Sequence, residues 1–151
     1  MSGHDLAKAL RAAYLGLHRQ TEARFARWGV TANQFVVLDA LSAEDALTQR
    51  DLVARTSSDP STLRAMLVLL EQRGYIRRRE HPSDKRARNV SLTPEGRRVY
   101  EAMWAASEKL RKQLIDALGS DDTRCLVAAL RKMATAMDAD SGPTSPQSDE
   151  A

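Results

Sequence analysis

Apolar residues return at steps of three and four along most of this chain, the spacing that puts them on one side of a helix turning every 3.6 residues. Leu6, Leu10, Ala13, Tyr14, Leu17, Thr21, Phe25 and Trp28 trace one such stripe, which predicts a long first helix over about 4–28 that ends at Gly29. Thr31 with Gln34 reads as a capping box opening a second helix, and the FVVLDAL run after it is apolar nearly all round, so that helix is expected to be central and buried. Leu47 to Thr56 forms a short unit with Thr48 as cap and Leu52 and Val53 facing inward. A polar turn, Thr56 to Ser58, separates it from Asp59-Pro60, a cap and first-turn pair that starts another helix. There Leu63, Met66, Leu67 and Leu70 share one side, Ser61, Arg64, Ala65, Val68 and Gln72 share the other, and Gly74 stops the run.

The period then changes. Tyr75 to Glu80 has strand length, and Val90 and Leu92 alternate as in a half-buried strand, with the loop HPSDKRARN between them. Thr93-Pro94-Glu95 opens a third long helix over 94–118 whose stripe is Val99, Met103, Ala106, Leu110, Leu114 and Leu118, and Gly119 ends it. Ser120 is expected to cap a last helix over 121–137 carrying Leu126, Leu130, Met133 and Met137 on one face. The fold class is therefore mostly α (α+β). Two short helices joined by a tight turn and followed by a two- or three-stranded hairpin make a winged helix-turn-helix over about 31–96, flanked by helices at both ends.

Length and composition agree with one domain, 1–137. At 151 residues and 42% hydrophobic, the chain can fill a sizeable core. Its seven aromatics suit helices packed with Leu, Ala, Val and Met better than a sandwich of strands. The tail 138–151, DADSGPTSPQSDEA, holds four acids, two prolines and no large apolar residue, and is expected to be disordered.

Charge points to a partner. The window Arg73 to Arg88 holds seven Lys or Arg against Glu80 and Asp84, a net of +5, whereas the whole chain is only +3, so the remainder sums to −2. A positive hairpin on an otherwise near-neutral chain suits a polyanion, and double-stranded DNA is the expected one. The outer face of the helix after Asp59 starts small and polar, so Ser61, Thr62 and Arg64 can reach base edges or neighbouring phosphates, Arg64 matching guanine O6 and N7. Thr48 and Gln49, at the amino end of the preceding helix, suit phosphate contact, as do Lys85 and Arg88 in the hairpin.

The hairpin and its exit carry a more specific pattern. Asp84, Arg86, Val90, Leu92, Thr93 and Gly96 match D-x-R-x-x-x-V-x-L-T-x-x-G, and the chain from about Leu6 to Met137 resembles the MarR-type winged helix-turn-helix transcription regulators. The resemblance implies that Arg86 enters the minor groove and that Asp84 orients the wing's basic side chains. It implies that the flanking helices intertwine two subunits, giving a homodimer on a pseudo-palindromic operator. It also implies release from DNA, most simply of a repressor, by a small anionic aromatic or phenolic ligand held between the dimer helices and the DNA-reading lobe. Tyr14, His18, Trp28 and Phe35 combine aromatic surface with polar handles and are the residues expected to line that pocket; they match no family motif and suit plain core packing equally. The rival reading is a winged-helix architectural or protein-interaction module with weak sequence preference.

Other chemistry finds little footing. The phosphate-cradling G-x-x-x-x-G-K-[ST], G-x-G-x-x-G after a strand, H-E-x-x-H and G-x-S-x-G are all missing, so an enzyme is not expected and no cofactor is implied. His4, His18 and His81 are far apart, which gives no metal site. Cys125 is the only cysteine, which excludes a disulfide framework; amid apolar helix residues it reads as inert packing. No apolar run approaches the roughly 20 residues of a membrane span and the first residues do not form a signal-peptide core, so a cytoplasmic location without membrane contact is expected.

Overall fold

The computed structural model describes residues 1–80, 83 and 88–140. The chain falls into two compact units, Met1–Leu110 and Arg111–Ala151. The first contains α1 (Gly3–Phe25), a 3-10 turn (Ala26–Trp28), α2 (Ala32–Ser42), β1 (Leu47–Thr48), α3 (Gln49–Thr56), α4 (Pro60–Gln72), β2 (Ile76–Glu80), β3 (Arg88–Leu92) and α5 (Pro94–Ala106). Helix α6 (Glu108–Leu118) runs across the division, and α7 (Ser120–Asp140) belongs to the second unit.

Most helix starts are set by the residues expected to set them. Thr31 accepts the amide of Gln34 while the Gln34 side chain accepts that of Thr31, and Thr48 and Asp51 exchange the same pair of bonds. Asp59 caps α4, with Pro60 in its first turn, and Thr93 caps α5 ahead of Pro94. These side chains satisfy amides that would otherwise open each helix unpaired. On α4 the inward side chains are Leu63, Met66, Leu67 and Leu70, all buried, while Ser61, Thr62, Arg64, Ala65 and Val68 are exposed.

The sheet has three antiparallel strands in the order β1-β3-β2. Strand β1 was not anticipated as a strand: two residues leave no visible alternation, and only pairing of Leu47 with Val90 and Thr48 with Asn89 reveals it. Leu47, Ile76, Val90 and Leu92 face inward and join Phe25, Val37, Leu38, Leu41, Leu52 and the α4 leucines in one core.

Several expectations need correction. Helix 94–118 is interrupted at Ser107, whose amide bonds back to Met103 and Trp104 and whose hydroxyl donates to the Trp104 carbonyl at 3.0 Å. A local side-chain bond of this kind competes with continued helix. Ser120 is the first residue inside α7 rather than its cap; Gly119, with φ of 79°, makes the turn before it. Helix α7 continues to Asp140, three residues into the expected tail, whose remaining residues 141–151 lie outside the described ones. Val36 on α2 is 43% exposed because the helix presents one edge outward. Cys125 is exposed rather than packed, since its neighbours on α7, Leu126 and Val127, are themselves uncovered.

The hairpin is anchored where it leaves and re-enters the helices. Gly74 takes a left-handed turn, with φ of 75°, and lets the chain pass from α4 into β2. The Thr93 amide then donates to the Tyr75 carbonyl at 3.0 Å, and its hydroxyl donates to the Gly74 carbonyl. Gly96 lies directly on this junction: a Cβ there would sit 1.8 Å from the Tyr75 carbonyl oxygen. Backbone meets backbone, so neither side can swing away as a flexible side chain would. Gly96→Ala should therefore lower stability by about 2 kcal/mol or more, the range of overpacked cores, read as a fall of several degrees in thermal midpoint; an unchanged midpoint would show that the junction can open without cost.

Candidate nucleic-acid interface

The surface around the amino ends of α3 and α4 brings together most of the expected DNA-reading residues. Gln49, Arg50, Val53, Pro60, Leu63 and Arg64 line an open groove of about 260 Å³ between the two helices. Its base is apolar and its margins carry two guanidinium groups, a pairing that suits a surface meeting both base edges and phosphates. Arg64 and Arg50 are exposed; Gln49 and Thr48 are half-buried. The Thr48 oxygen accepts the Asp51 amide at 3.1 Å as a cap, and hydrogen bonds from the Thr48 side chain and backbone hold the Asp51 carboxyl below its ordinary range.

Ser61 and Thr62 are exposed, but their hydroxyls are already engaged. Asp59 accepts the Ser61 amide at 3.0 Å and its hydroxyl at 2.7 Å, the Thr62 amide at 3.0 Å, and the Thr62 hydroxyl. With both protons given to Asp59, the two oxygens offer lone pairs outward, the complement of adenine N6 or cytosine N4 amino groups. Arg64, one turn along, offers donors, the complement of guanine O6 and N7. Hydrogen bonds from Thr62 and Ser61 also hold the Asp59 carboxyl well below the ordinary carboxylate range.

The basic hairpin divides its charge between two faces. In β2, Arg77 and Arg79 are exposed and alternate with Ile76 and Arg78, which face the opposite way. Opposite them in register stand Ser91 and Asn89, and Thr48 lies across from Asn89 on β1, so Arg79, Asn89 and Thr48 form one polar row over the three strands. Arg88 is exposed at the far end of β3, opposite Glu80. Asp84, Lys85 and Arg86, the residues expected at the wing tip, lie outside the described residues. Sequence reasoning missed Arg50, Arg77 and Arg79 as individual members of the surface; strict alternation along IRRRE was the signal for the last two.

The four residues expected to line a ligand pocket fall into two sets by their ring contacts. Tyr14 and His18 stack on α1 with centroids 5.7 Å apart. Trp28 and Phe35 both pack on Phe25, at 6.4 Å and 4.6 Å, and the series continues from Phe35 to Tyr100 at 5.5 Å and on to Trp104 at 6.2 Å. Tyr100 donates its hydroxyl to Asp39 at 2.8 Å. Tyr14 is 55% exposed, whereas Trp28 and Phe35 are half-buried. Among the described residues no group of three His, Cys, Asp or Glu side chains is placed to hold a metal ion, and no helix is long and apolar enough to cross a membrane.

A helix-turn-helix with an outward polar second helix and an adjoining basic antiparallel hairpin defines the winged helix-turn-helix class of DNA-binding proteins. The comparisons place the chain within that class. Residues 28–87 match the MarR family model. Over 105 residues the chain is 32% identical to the multiple antibiotic resistance protein MarR of Salmonella typhimurium, covering 69% of this chain and 73% of that one. It is 29% identical over 129 residues to the transcriptional regulator HosA of Escherichia coli, covering 82% and 96%. Among solved structures, a cysteine-to-serine variant of Escherichia coli MarR in complex with operator DNA superposes with a TM-score of 0.79 at 26% identity, over 85% of this chain and 93% of that chain. Bordetella bronchiseptica BpsR, described in terms of regulation of its DNA binding by 6-hydroxynicotinic acid, superposes with a TM-score of 0.78 at 31% identity, over 85% and 91%. The chain belongs to the MarR family and is a DNA-binding transcriptional regulator, not an enzyme.

The Asp59 cap makes α4 sensitive to acid. Its folded-state pKa lies below the value of about 3.9 for an unfolded aspartate, so the stability it contributes is present above that value and is lost as pH falls toward the depressed one. Thermal midpoints of the native protein and Asp59→Ala should differ at pH 7 and converge steadily below pH 4. A gap that stayed constant to pH 2.5 would mean that the carboxylate's charge has no part in the cap.

Proposed function

We propose that this protein is a homodimeric repressor that holds a pseudo-palindromic operator in double-stranded DNA and lets go of it when a small anionic aromatic or phenolic ligand binds. The observation that carries the reading is the pairing of two surfaces on one chain. The DNA-facing side joins the α3–α4 groove with the basic strands of the wing. Elsewhere α1 leaves Leu6, Leu10, Tyr14 and Leu17 uncovered, α6 leaves Leu114, Ile115 and Leu118, and α7 leaves Leu126, Leu130 and Met137, which is 59% exposed. Apolar stripes on three helices are more than a soluble monomer ordinarily shows to water. A second copy, meeting the same stripes about a two-fold axis, covers them and sets two recognition helices side by side for inverted half-sites.

In this reading Thr48, Gln49, Lys85 and Arg88 hold phosphates, Ser61, Thr62 and Arg64 face the major groove, and Arg86, oriented by Asp84, enters the minor groove. The ligand lies among Tyr14, His18, Trp28 and Phe35. Support for its chemistry comes from the half-buried rings of Trp28 and Phe35 beside Phe25, which offer aromatic surface, and from BpsR, whose regulating compound is a hydroxylated aromatic acid. Release requires only that the ligand favour a spacing of the two recognition helices that the operator does not accept. The work of such a regulator lies in the cytoplasm, where the DNA is.

Selection of bound fragments from sheared genomic DNA at about 150 mM salt tests the core of the proposal. One or a few inverted-repeat sites are expected; diffuse recovery would instead favour an architectural protein with weak sequence preference. Arg86→Ala should weaken operator binding by about 1–3 kcal/mol, roughly tenfold or more, with dimer mass unchanged. Leu114→Asp should shift the solution mass from dimer toward monomer at micromolar concentration, and a native protein already monomeric there would sink the assembly. For the ligand, a series of hydroxylated aromatic carboxylates should include at least one that dissociates the operator complex and quenches tryptophan emission, with both effects reduced by Trp28→Ala.

A further inference from the structure

One arginine of the hairpin is withheld from the charged surface. At the carboxyl end of α4, Glu71 turns toward β2, where its Oε2 accepts the backbone amide and the Nε of Arg78, each at 3.2 Å, and its Oε1 accepts Nη2 at 2.9 Å. Both side chains are half-buried. One carboxylate thus takes three donors from a single residue, two of them in the parallel fork that fixes a guanidinium in orientation as well as position. The backbone bond adds a second restraint. Because β2 is an edge of the sheet, the Arg78 amide points away from β3, and Glu71 supplies the acceptor that no neighbouring strand provides.

The consequence falls on the residues either side. Arg77 and Arg79 alternate with Arg78 and so face the other way, and Arg88 ends the paired strand. Fixing Arg78 to α4 fixes the pose of all three relative to the recognition helix. We propose that Glu71 and Arg78 are positioning residues: they clamp the basic strands of the wing at one angle to α4, so that phosphate contacts by Arg77, Arg79 and Arg88 form together with the helix's contacts in the groove. The inference rests on the DNA-reading function proposed above and extends it to residues that touch no DNA themselves. Direct hydrogen bonding and ion pairing by Arg78 also hold the Glu71 carboxyl below its ordinary range, so the acid is charged at neutral pH.

That charge gives the proposal a test by sign. Removing a carboxylate near a polyanion should, by long-range electrostatics alone, tighten binding. A clamp requires the reverse. The full-length protein, bound to the operator it selects, is titrated from about 50 to 300 mM salt as native protein, Glu71→Gln and Arg78→Lys. Arg78→Lys keeps the net charge and gives up the fork, so it separates geometry from charge and remains informative should Glu71→Gln fold poorly. Both variants should bind about tenfold more weakly near 150 mM, with the slope of log K against log salt shallower by about one to two, one for each phosphate that the displaced wing no longer reaches. Tighter binding by Glu71→Gln, or native binding by Arg78→Lys, overturns the clamp. So does weaker binding at an unchanged slope, which is the signature of a smaller folded fraction. If the native protein selects no site at all, the DNA-reading proposal fails first, and the clamp with it.

Discussion

Among the described glycines, Gly96 is the one that passes directly against backbone, at the carbonyl of Tyr75, and the geometry of the reading lobe depends on that contact. Tyr75 follows the recognition helix and opens the wing; Gly96 is in the first turn of the helix after the wing. With Thr93 bonded to Gly74 and Tyr75 from the same turn, entry and exit of the hairpin are drawn to a single point. A hairpin held only by its own ladder would pivot about that point, because two strands have little stiffness of their own. Here β3 also pairs with β1 in front of α3, so α3, α4 and the wing share one small sheet. Helices α3 and α4 and the wing are therefore tied together through one junction and one small sheet.

This constraint explains why the sequence pattern at the wing's exit is so specific. Val90 and Leu92 are the buried side chains of β3, Thr93 caps α5 and ties it to Gly74, and Gly96 leaves room for a carbonyl that any side chain would strike. Four positions that look unrelated in one dimension are four parts of one junction. Their identities were legible in the sequence because each is dictated by backbone geometry: a cap needs a short acceptor, and a contact at 1.8 Å from a would-be Cβ needs glycine.

Other features were hidden from the sequence for equally physical reasons. The α4 stripe could be read because one core face repeats at helical period, and its burial matches residue by residue. The bond from Glu71 to Arg78 spans a helix end, a left-handed turn and a strand, and no periodicity reports it. Strand β1 has two residues and exists only through its partner. The break at Ser107 depends on one hydroxyl choosing a carbonyl in its own helix. Cys125 misled in the opposite direction: apolar neighbours in sequence suggest burial, yet those neighbours form a stripe that this chain alone does not cover. Asp84 and Arg86, the wing-tip part of the motif, lie outside the described residues.

A rigid reading lobe also bears on how such a regulator is switched. If α4 and the wing moved independently, a ligand would have to disturb each to release DNA, because the surviving contacts would hold the complex. When they move as one body, a single displacement of that body misplaces major-groove and phosphate contacts together. The ligand then needs only a differential affinity for the displaced arrangement; about 10⁴-fold would carry a two-state equilibrium from 1:99 to 99:1, and far less suffices where the operator complex is only modestly favoured. The ring series from Trp28 through Phe25 and Phe35 to Tyr100 and Trp104 joins α1, the 3-10 turn, α2 and α5. Under the proposed function, a flat ligand bound beside those rings would act at the edge of the lobe, and the junctions at Gly96 and Glu71 would carry a small shift there to the whole DNA-facing surface.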